Sequence, residues 1–413
     1  TDSPMPTIQA DRLVYVATYF GHGTNRVPSM GEKPPYRVPS MKEINAIPWN
    51  GFNAISTFSG CGGSSTGYRM AGFRVLWASE FIDAARDSYN ANKAAYTILD
   101  GRDIRQVQPE DILEAIKMRL GELDLLDGSP PCASFSTAGK RETGWGQVKK
   151  YSDKSQRTDD LFHEFIRLLR GIKPKTFVAE NVSGLVKGTA KGYFLEILAA
   201  MKASGYRVTC KVLDAQWLGV PQQRQRTIFV GVREDLGLDP VHPKPLAYRY
   251  SVCDALPWIT TIGSSRGFGE AYQILSDRPY HTVGTGPQQG DGLARFVDAE
   301  TDISRFAIGK EWDRLKEGEQ SAKYFNLVRS SSSRPSPTIT VPAGGISGAS
   351  VTHPTERRKF TIAELKRICA FPDDFILTGS YAQMWERLGR AVPPVMMKMC
   401  AEAIRDGILA RCK

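Results

Sequence analysis

The 413-residue sequence predicts an α/β fold, a doubly wound and mostly parallel sheet joined to a second, smaller irregular domain. Three observations predict it. Short apolar runs alternate with helical spacings from Asn53 to Val232. A glycine-rich turn, Ser59-Gly60-Cys61-Gly62-Gly63, directly follows the first of those runs. A stiff Pro130-Pro131-Cys132 loop follows another, residues 123–126, at the strand end where parallel sheets place reacting groups.

Composition narrows the partners. Lys and Arg number 54 against 44 Asp and Glu, a net charge of +10, which suggests an anionic partner, nucleic acid before membrane. The seven cysteines are scattered, odd in number and without a CxxC pair, so they fit neither a zinc site nor a disulfide framework and suit a reducing cytosol. No apolar run is long enough to span a bilayer, and no signal peptide is expected.

Taken in order, residues 1–50 are rich in Pro, Gly and Ser and read as an extended arm, with a short strand at 13–17. Residues 53–58 form the first strand of a catalytic unit over 51–233. The glycines after it let the backbone approach a ligand, and the helix visible from Tyr68 offers free N–H groups. The strand 73–79 ends at Glu80, where a carboxylate either holds ribose hydroxyls or simply starts a helix. A helix over 83–93 leads to Asp103, placed at a third strand end to accept an adenine amino group. A helix over 109–120 returns the chain to the Cys132 strand. Cys132 reads either as a small buried hydrophobe or as a nucleophile, and the two prolines and the Ser-rich run beside it favour the nucleophile.

Residues 137–158 are polar and carry Lys140, Arg141, Lys149 and Lys150, either a mobile lid suited to a polyanion or a solvated loop. A helix over 161–169 and a strand over 176–179 put Glu180 at the same sheet edge as Cys132. A helix over 193–202 and a strand over 207–213 follow. Arg224 and Arg226 then run into the strand 227–232 and share one face, as an anion clamp or as protection of an edge strand. The alternation stops over 234–333, the second domain. Residues 334–413 return to the first, with helices over 362–370 and 395–410.

In this order the motifs resemble the DNA (cytosine-5)-methyltransferases, from about residue 51 onward. Residues 58–63 resemble the family's first cofactor motif, and Pro131-Cys132 with Phe135-Ser136 resembles its nucleophile motif. Glu180-Asn181-Val182, residues 222–226, Arg334 to Thr338 and Val392-Pro393-Pro394 follow as they do in the family. The resemblance implies a Rossmann-like, S-adenosylmethionine-dependent methyltransferase. It implies catalytic roles for Cys132, Glu180, Arg224 and Arg226. It implies cofactor contacts at Phe58, Ser59, Gly60, Gly62, Gly63, Glu80, Phe81, Asp103, Ile104, Pro131, Leu161, Arg390 and Ala391. Ser134, Ser136, Lys140, Arg141, Arg334 and Thr338 would touch DNA, residues 234–333 would recognise the target, and no metal is expected. The implied partner is double-stranded DNA, and the implied enzyme is a cytoplasmic monomer, bacterial or phage-encoded, of the restriction–modification kind.

The family chemistry explains these residue types. Cytosine C5 is a poor nucleophile until a thiolate adds to C6. Cys132 would make that addition, Glu180 would hold N3 and the amino edge, and Arg226 with Arg224 would steady O2 and a phosphate. The base must first leave the stack. Two positions depart from the family pattern. Ala133 stands where many members carry Gln, and Arg390 where the family carries Asn beside the cofactor. A guanidinium matches a carboxylate better than a sulfonium. Arg390 therefore raises the expectation of carboxy-S-adenosylmethionine as donor and 5-carboxymethylcytosine as product. Ordinary methyl transfer, with Arg390 turned to the cofactor's own carboxylate, to a DNA phosphate or to a surface acid, is the alternative. Rival readings are a catalytically silent DNA-binding homologue and a tRNA methyltransferase.

Overall fold

The computed structural model describes residues 33–131, 149–151, 154–156, 160–186, 191–259, 301–341 and 345–412. The short strand expected at 13–17 and most of the expected lid lie outside them.

One seven-stranded sheet organises the chain. Its strands are β1 (Asn53–Thr57), β2 (Arg74–Ser79), β3 (Ile98–Asp100), β4 (Leu125–Gly128), β7 (Thr176–Val182), β8 (Tyr206–Asp214) and β9 (Gln225–Arg233). Two described hairpin strands, β5 (Lys149–Tyr151) and β6 (Lys154–Gln156), pair apart from it and antiparallel. The sheet order is β3-β2-β1-β4-β7-β9-β8. The first five pair in parallel, and β9 runs antiparallel to both neighbours. The expected doubly wound, mostly parallel sheet is therefore present.

Alternation along the strands builds two cores. Ile55, Leu126, Phe177 and Phe229 face one side, and Ala54, Leu125, Val178, Ile228 and Val230 face the other. Helices cover both faces: α1 (Met41–Ala46), α2 (Gly63–Met70), α3 (Asp83–Asn92), α4 (Pro109–Ile116), α5 (Leu161–Ile172) and α6 (Lys191–Lys202). α5 shows why these segments are helical. Leu161, Phe162, Phe165, Ile166, Leu168, Leu169 and Ile172 make one buried stripe, and Lys173, left-handed at φ 51°, ends the helix.

Several boundaries differ from the sequence reading. α2 begins at Gly63 rather than near Tyr68, because Gly62 at φ 99° turns the chain directly into the helix. α4 stops at Ile116, where Lys117 turns left-handed at φ 55°. The described part of the arm, residues 33–50, is not wholly extended. Ser40 and Glu43 form a reciprocal cap that starts α1, whose Met41 and Ile44 are buried.

Beyond the sheet come α7 (Val252–Ala255), α8 (Ala307–Trp312), β10 (Val328–Arg329), β11 (Val351–Thr352), α9 (Ile362–Ile368), α10 (Tyr381–Arg390) and α11 (Pro394–Gly407). Ile303, Ile308, Trp312, Leu315 and Leu327 form a small core there, with the Arg329 guanidinium 3.9 Å from the Trp312 ring centre. Lys33 ties the arm to this part of the chain through Asp254 at 2.7 Å.

α2 and α11 meet at backbone distance. A Cβ on Gly63 would stand 2.2 Å from the Val392 carbonyl oxygen, and one on Gly67 would stand 2.5 Å from that of Pro394. Gly67→Ala must push the helices apart, and should lower the unfolding free energy by about 1–3 kcal/mol in urea melts. A midpoint equal to wild type would contradict this packing.

Candidate active site

The carboxyl ends of β1, β2, β4 and β7 open into a cavity of about 450 Å³. Its first wall is the glycine turn. Phe58 sits left-handed at φ 53°, a conformation that costs a non-glycine residue roughly 1–2 kcal/mol. Ser59 steadies the turn, its Oγ donating to the Ser56 carbonyl at 2.8 Å. Gly60 follows at φ 56°, and a Cβ there would meet nothing within 4 Å, so the backbone itself faces the open cavity. Glu80 reaches back from the end of β2, accepting the N–H groups of Gly60 and Ile82 at 2.7 Å each. Burial raises its pKa, and the two N–H bonds partly offset this.

Asp103 caps the 3-10 turn Ile104–Gln106 by accepting the Arg105 N–H at 3.0 Å. It also pairs with Arg105, which holds Asp160 at 2.6 Å. Phe81, Ile104, Pro131 and Leu161 complete this side of the wall. Gly62 does not reach the cavity, because its Cβ position faces the Tyr89 ring.

The opposite wall carries the acid. β4 and β7 pair as far as Gly128 and Ala179, so Glu180 falls beside the chain leaving β4. The Asn181 amide donates to the Pro130 carbonyl at 3.1 Å and fixes that exit. β9 runs opposite to β7 and sets Val182 against Arg226. Arg226 Nε thus meets Glu180 Oε1 at 2.9 Å, and both side chains are nearly buried. Burial lowers the Arg226 pKa and the Glu180 charge opposes that shift. Thr338 lines the same side and donates its hydroxyl to the Gln223 carbonyl.

Arg224 is a correction to the sequence reading. It precedes β9, is absent from the cavity wall and is only 1% exposed. Its Nη2 donates to the Gly389 carbonyl at 2.9 Å and its Nη1 to that of Ile339 at 3.4 Å. Its guanidinium turns to those carbonyls rather than into the cavity that Arg226 lines. Burial first, and the Arg226 charge second, bring its pKa down to about 9.

Arg390 and Ala391 also line the cavity, next to Arg387 and Val392. Arg390 Nε bonds Glu386 at 2.8 Å, and Arg387 Nη2 approaches the same carboxylate at 3.1 Å. Arg387 was missed in the sequence; one turn before Arg390 on α10, it was findable only once that helix was placed. Arg334 is exposed and lies off the cavity. Cys132, Ser134, Ser136, Lys140 and Arg141 lie outside the described residues.

An acid–guanidinium pair in one half of a cavity, and a bare glycine backbone with a carboxylate in the other, suit a flat heterocycle beside a nucleoside-bearing donor. The family model for C-5 cytosine-specific DNA methylases matches residues 52–406. The chain belongs to that family.

The methylase is 31% identical over 352 residues to the type II methyltransferase M.NgoFVII of Neisseria gonorrhoeae, covering 85% of each chain. It is 30% identical over 353 residues to M1.HphI of Haemophilus parahaemolyticus, covering 85% of this chain and 86% of that one. Its fold matches a DNA modification methyltransferase encoded in an E. coli prophage with a TM-score of 0.62 at 20% identity, over 87% of this chain and 99% of that one. The Spodoptera frugiperda DNMT2 structure matches with a TM-score of 0.55 at 18% identity, over 84% and 97%. The protein is thus a cytosine-C5 DNA methyltransferase with type II restriction–modification relatives, and its fold and family imply S-adenosylmethionine. Among the described residues no helix is long and apolar enough to cross a membrane.

Beneath the cavity, Asp127 accepts Ser56 Oγ at 2.8 Å and Tyr68 OH at 3.0 Å. Burial raises its pKa from 3.8 to about 7. The folded chain holds a proton there that the unfolded chain releases, so stability falls as pH rises between those values. Asp127→Asn removes the ionisation, and the wild-type Tm should fall more steeply than the variant's from about pH 5 to about pH 7. Parallel curves would contradict this.

Proposed function

We propose that the cavity seats a cytosine swung out of duplex DNA against Glu180 and Arg226, with the methyl donor on the glycine-turn side. The observation that carries this reading is one continuous cavity lined by Glu180, Arg226, Gly60, Glu80 and Arg390. The donor half fits S-adenosylmethionine. Gly60 leaves open space where a side chain would intrude, and Glu80 presents a carboxylate to a ribose. When bound, that cofactor supplies an electrophilic methyl group.

The chain's own residues do the rest. Cys132 follows Pro131, which lines the cavity, and its thiolate forms the bond to C6. Glu180 accepts the amino N–H and shares a proton with N3, so the electron pair that the thiolate addition displaces from the C5–C6 double bond makes C5 nucleophilic. Arg226 orients Glu180 and meets O2. Once the methyl group has passed to C5 and the donor has left as its neutral thioether, loss of the C5 proton to water and elimination of the thiolate restore the ring and free Cys132. Residues 234–333 serve as the target-recognition part, with Arg334, Lys140 and Arg141 toward phosphates, Ser134 and Ser136 near the base, and residues 1–50 as an arm. The enzyme works as a monomer in the cytoplasm.

Arg390 bears on the donor. Its Nε already bonds the Glu386 carboxylate, which supports unmodified S-adenosylmethionine rather than the carboxylated form. Nucleosides from DNA treated with both donors should contain 5-methylcytosine by mass spectrometry, with product identity unchanged in Arg390→Asn. A 5-carboxymethylcytosine peak that disappears in Arg390→Asn would reverse the donor assignment.

Glu180→Gln should lower kcat by about 10²–10⁴-fold. Cys132→Ala should lose both transfer and the covalent adduct with 5-fluorocytosine DNA. Persistent trapping by Cys132→Ala would refute the nucleophile, and equal labelling of tRNA and duplex DNA would refute the substrate.

A further inference from the structure

We infer that Arg224 is a positioning residue that couples the donor half of the cavity to its base half. The inference rests on the assignment of those halves proposed above.

Three separated segments meet at this one buried guanidinium. Nη2 holds the carbonyl of Gly389, the residue before Arg390 on the donor wall. Nη1 holds the carbonyl of Ile339, which stands between Thr338 and Thr340 on the base side. Two residues further along its own segment, Arg226 pairs with Glu180. Around this point the segments are laced together. The Gln223 N–H donates to the Ser336 carbonyl at 2.8 Å, and Trp385 Nε1 donates to the Thr340 carbonyl at 2.9 Å. Gly389 lies close enough that an added Cβ would sit 3.4 Å from the Thr340–Val341 backbone.

Burying a cation without a directly bonded acid is costly, and its Nε has no hydrogen-bond partner among the described residues. The two carbonyls are what the side chain engages. A planar guanidinium fixes the distance between two acceptors, and a flexible ammonium does not. A donor that presses on residues 389–390 therefore moves, through Arg224, both the Thr338–Val341 segment and the start of β9. By reciprocity, a base seated against Arg226 must alter donor affinity by the same factor.

The test measures S-adenosylhomocysteine affinity by calorimetry at fixed salt, with and without saturating unmodified duplex DNA of mixed sequence. In wild type the dissociation constant should change by about fivefold or more between the two conditions. In Arg224→Gln the change should shrink to less than about twofold, with S-adenosylhomocysteine affinity in the absence of DNA kept within about threefold of wild type. Arg224→Lys should fold and show reduced coupling, because an ammonium cannot hold both carbonyls in one plane. If Arg224→Gln does not fold, the lysine variant decides. Full coupling in a folded variant overturns the inference, as does equal affinity in both conditions for wild type. Failure of wild type to bind S-adenosylhomocysteine at all would instead bring down the assignment of the donor half itself.

Discussion

The contact between α2 and the start of α11 holds the two ends of the described chain together at backbone distance. Glycines at 63 and 67 permit it, since any side chain there would strike the carbonyls of Val392 or Pro394. Cys61 Sγ also lies 3.9 Å from the Arg387 carbonyl, so the glycine turn and α10 form one body. From that contact follows the shape of one cavity wall. Gly60 and Glu80 come from the first βαβ unit, while Arg387 to Val392 come from residues more than three hundred positions later. Neither half makes the wall alone. The opposite wall depends on a second geometric fact, the reversal of β9, which brings Arg226 to the same sheet edge as Glu180.

Ionisable side chains are concentrated in and beneath the wall of this cavity. Glu80, Asp127, Glu180, Arg224 and Arg226 are all largely buried, and each resolves the cost of burial differently. Glu80 uses two backbone N–H groups, Asp127 two hydroxyls, Glu180 and Arg226 one another, and Arg224 two carbonyls. Buried ion pairs seldom add much stability compared with apolar packing. Their density here marks the sheet edge as a place where position has been favoured over stability. The left-handed Phe58 beside them tells the same story in the backbone.

Much of this was legible in the sequence because it is local. Strands such as 53–57 and 176–182 announce themselves by apolar runs, and a strand end followed by Glu180-Asn181 places an acid at the sheet edge without any tertiary knowledge. The cavity wall collected the expected donor residues, with Gly62 the exception. One error arose where long-range contacts decide, and two were local. Arg224 and Arg226 look like alternate residues of one strand, yet the strand begins between them, and Arg224 turns to carbonyls 115 and 165 residues away. α1 was passed over although its Ser40–Glu43 cap was in plain view. α4 ends early only because Lys117 adopts a left-handed turn that no helix propensity foretells.

Among the described residues, the small core around Trp312 shares no fully buried side chain with the cores that flank the sheet or with the one beneath α10, and half-buried Ile346 packs on both it and the last of these. Its ties to the rest run through polar contacts: the Ile303 N–H donates to the Arg357 carbonyl, the Lys359 N–H to that of Thr301, and Trp312 Nε1 to that of His353. A side-chain change inside this small core is therefore felt at the sheet edge through a handful of bridging groups rather than through shared packing.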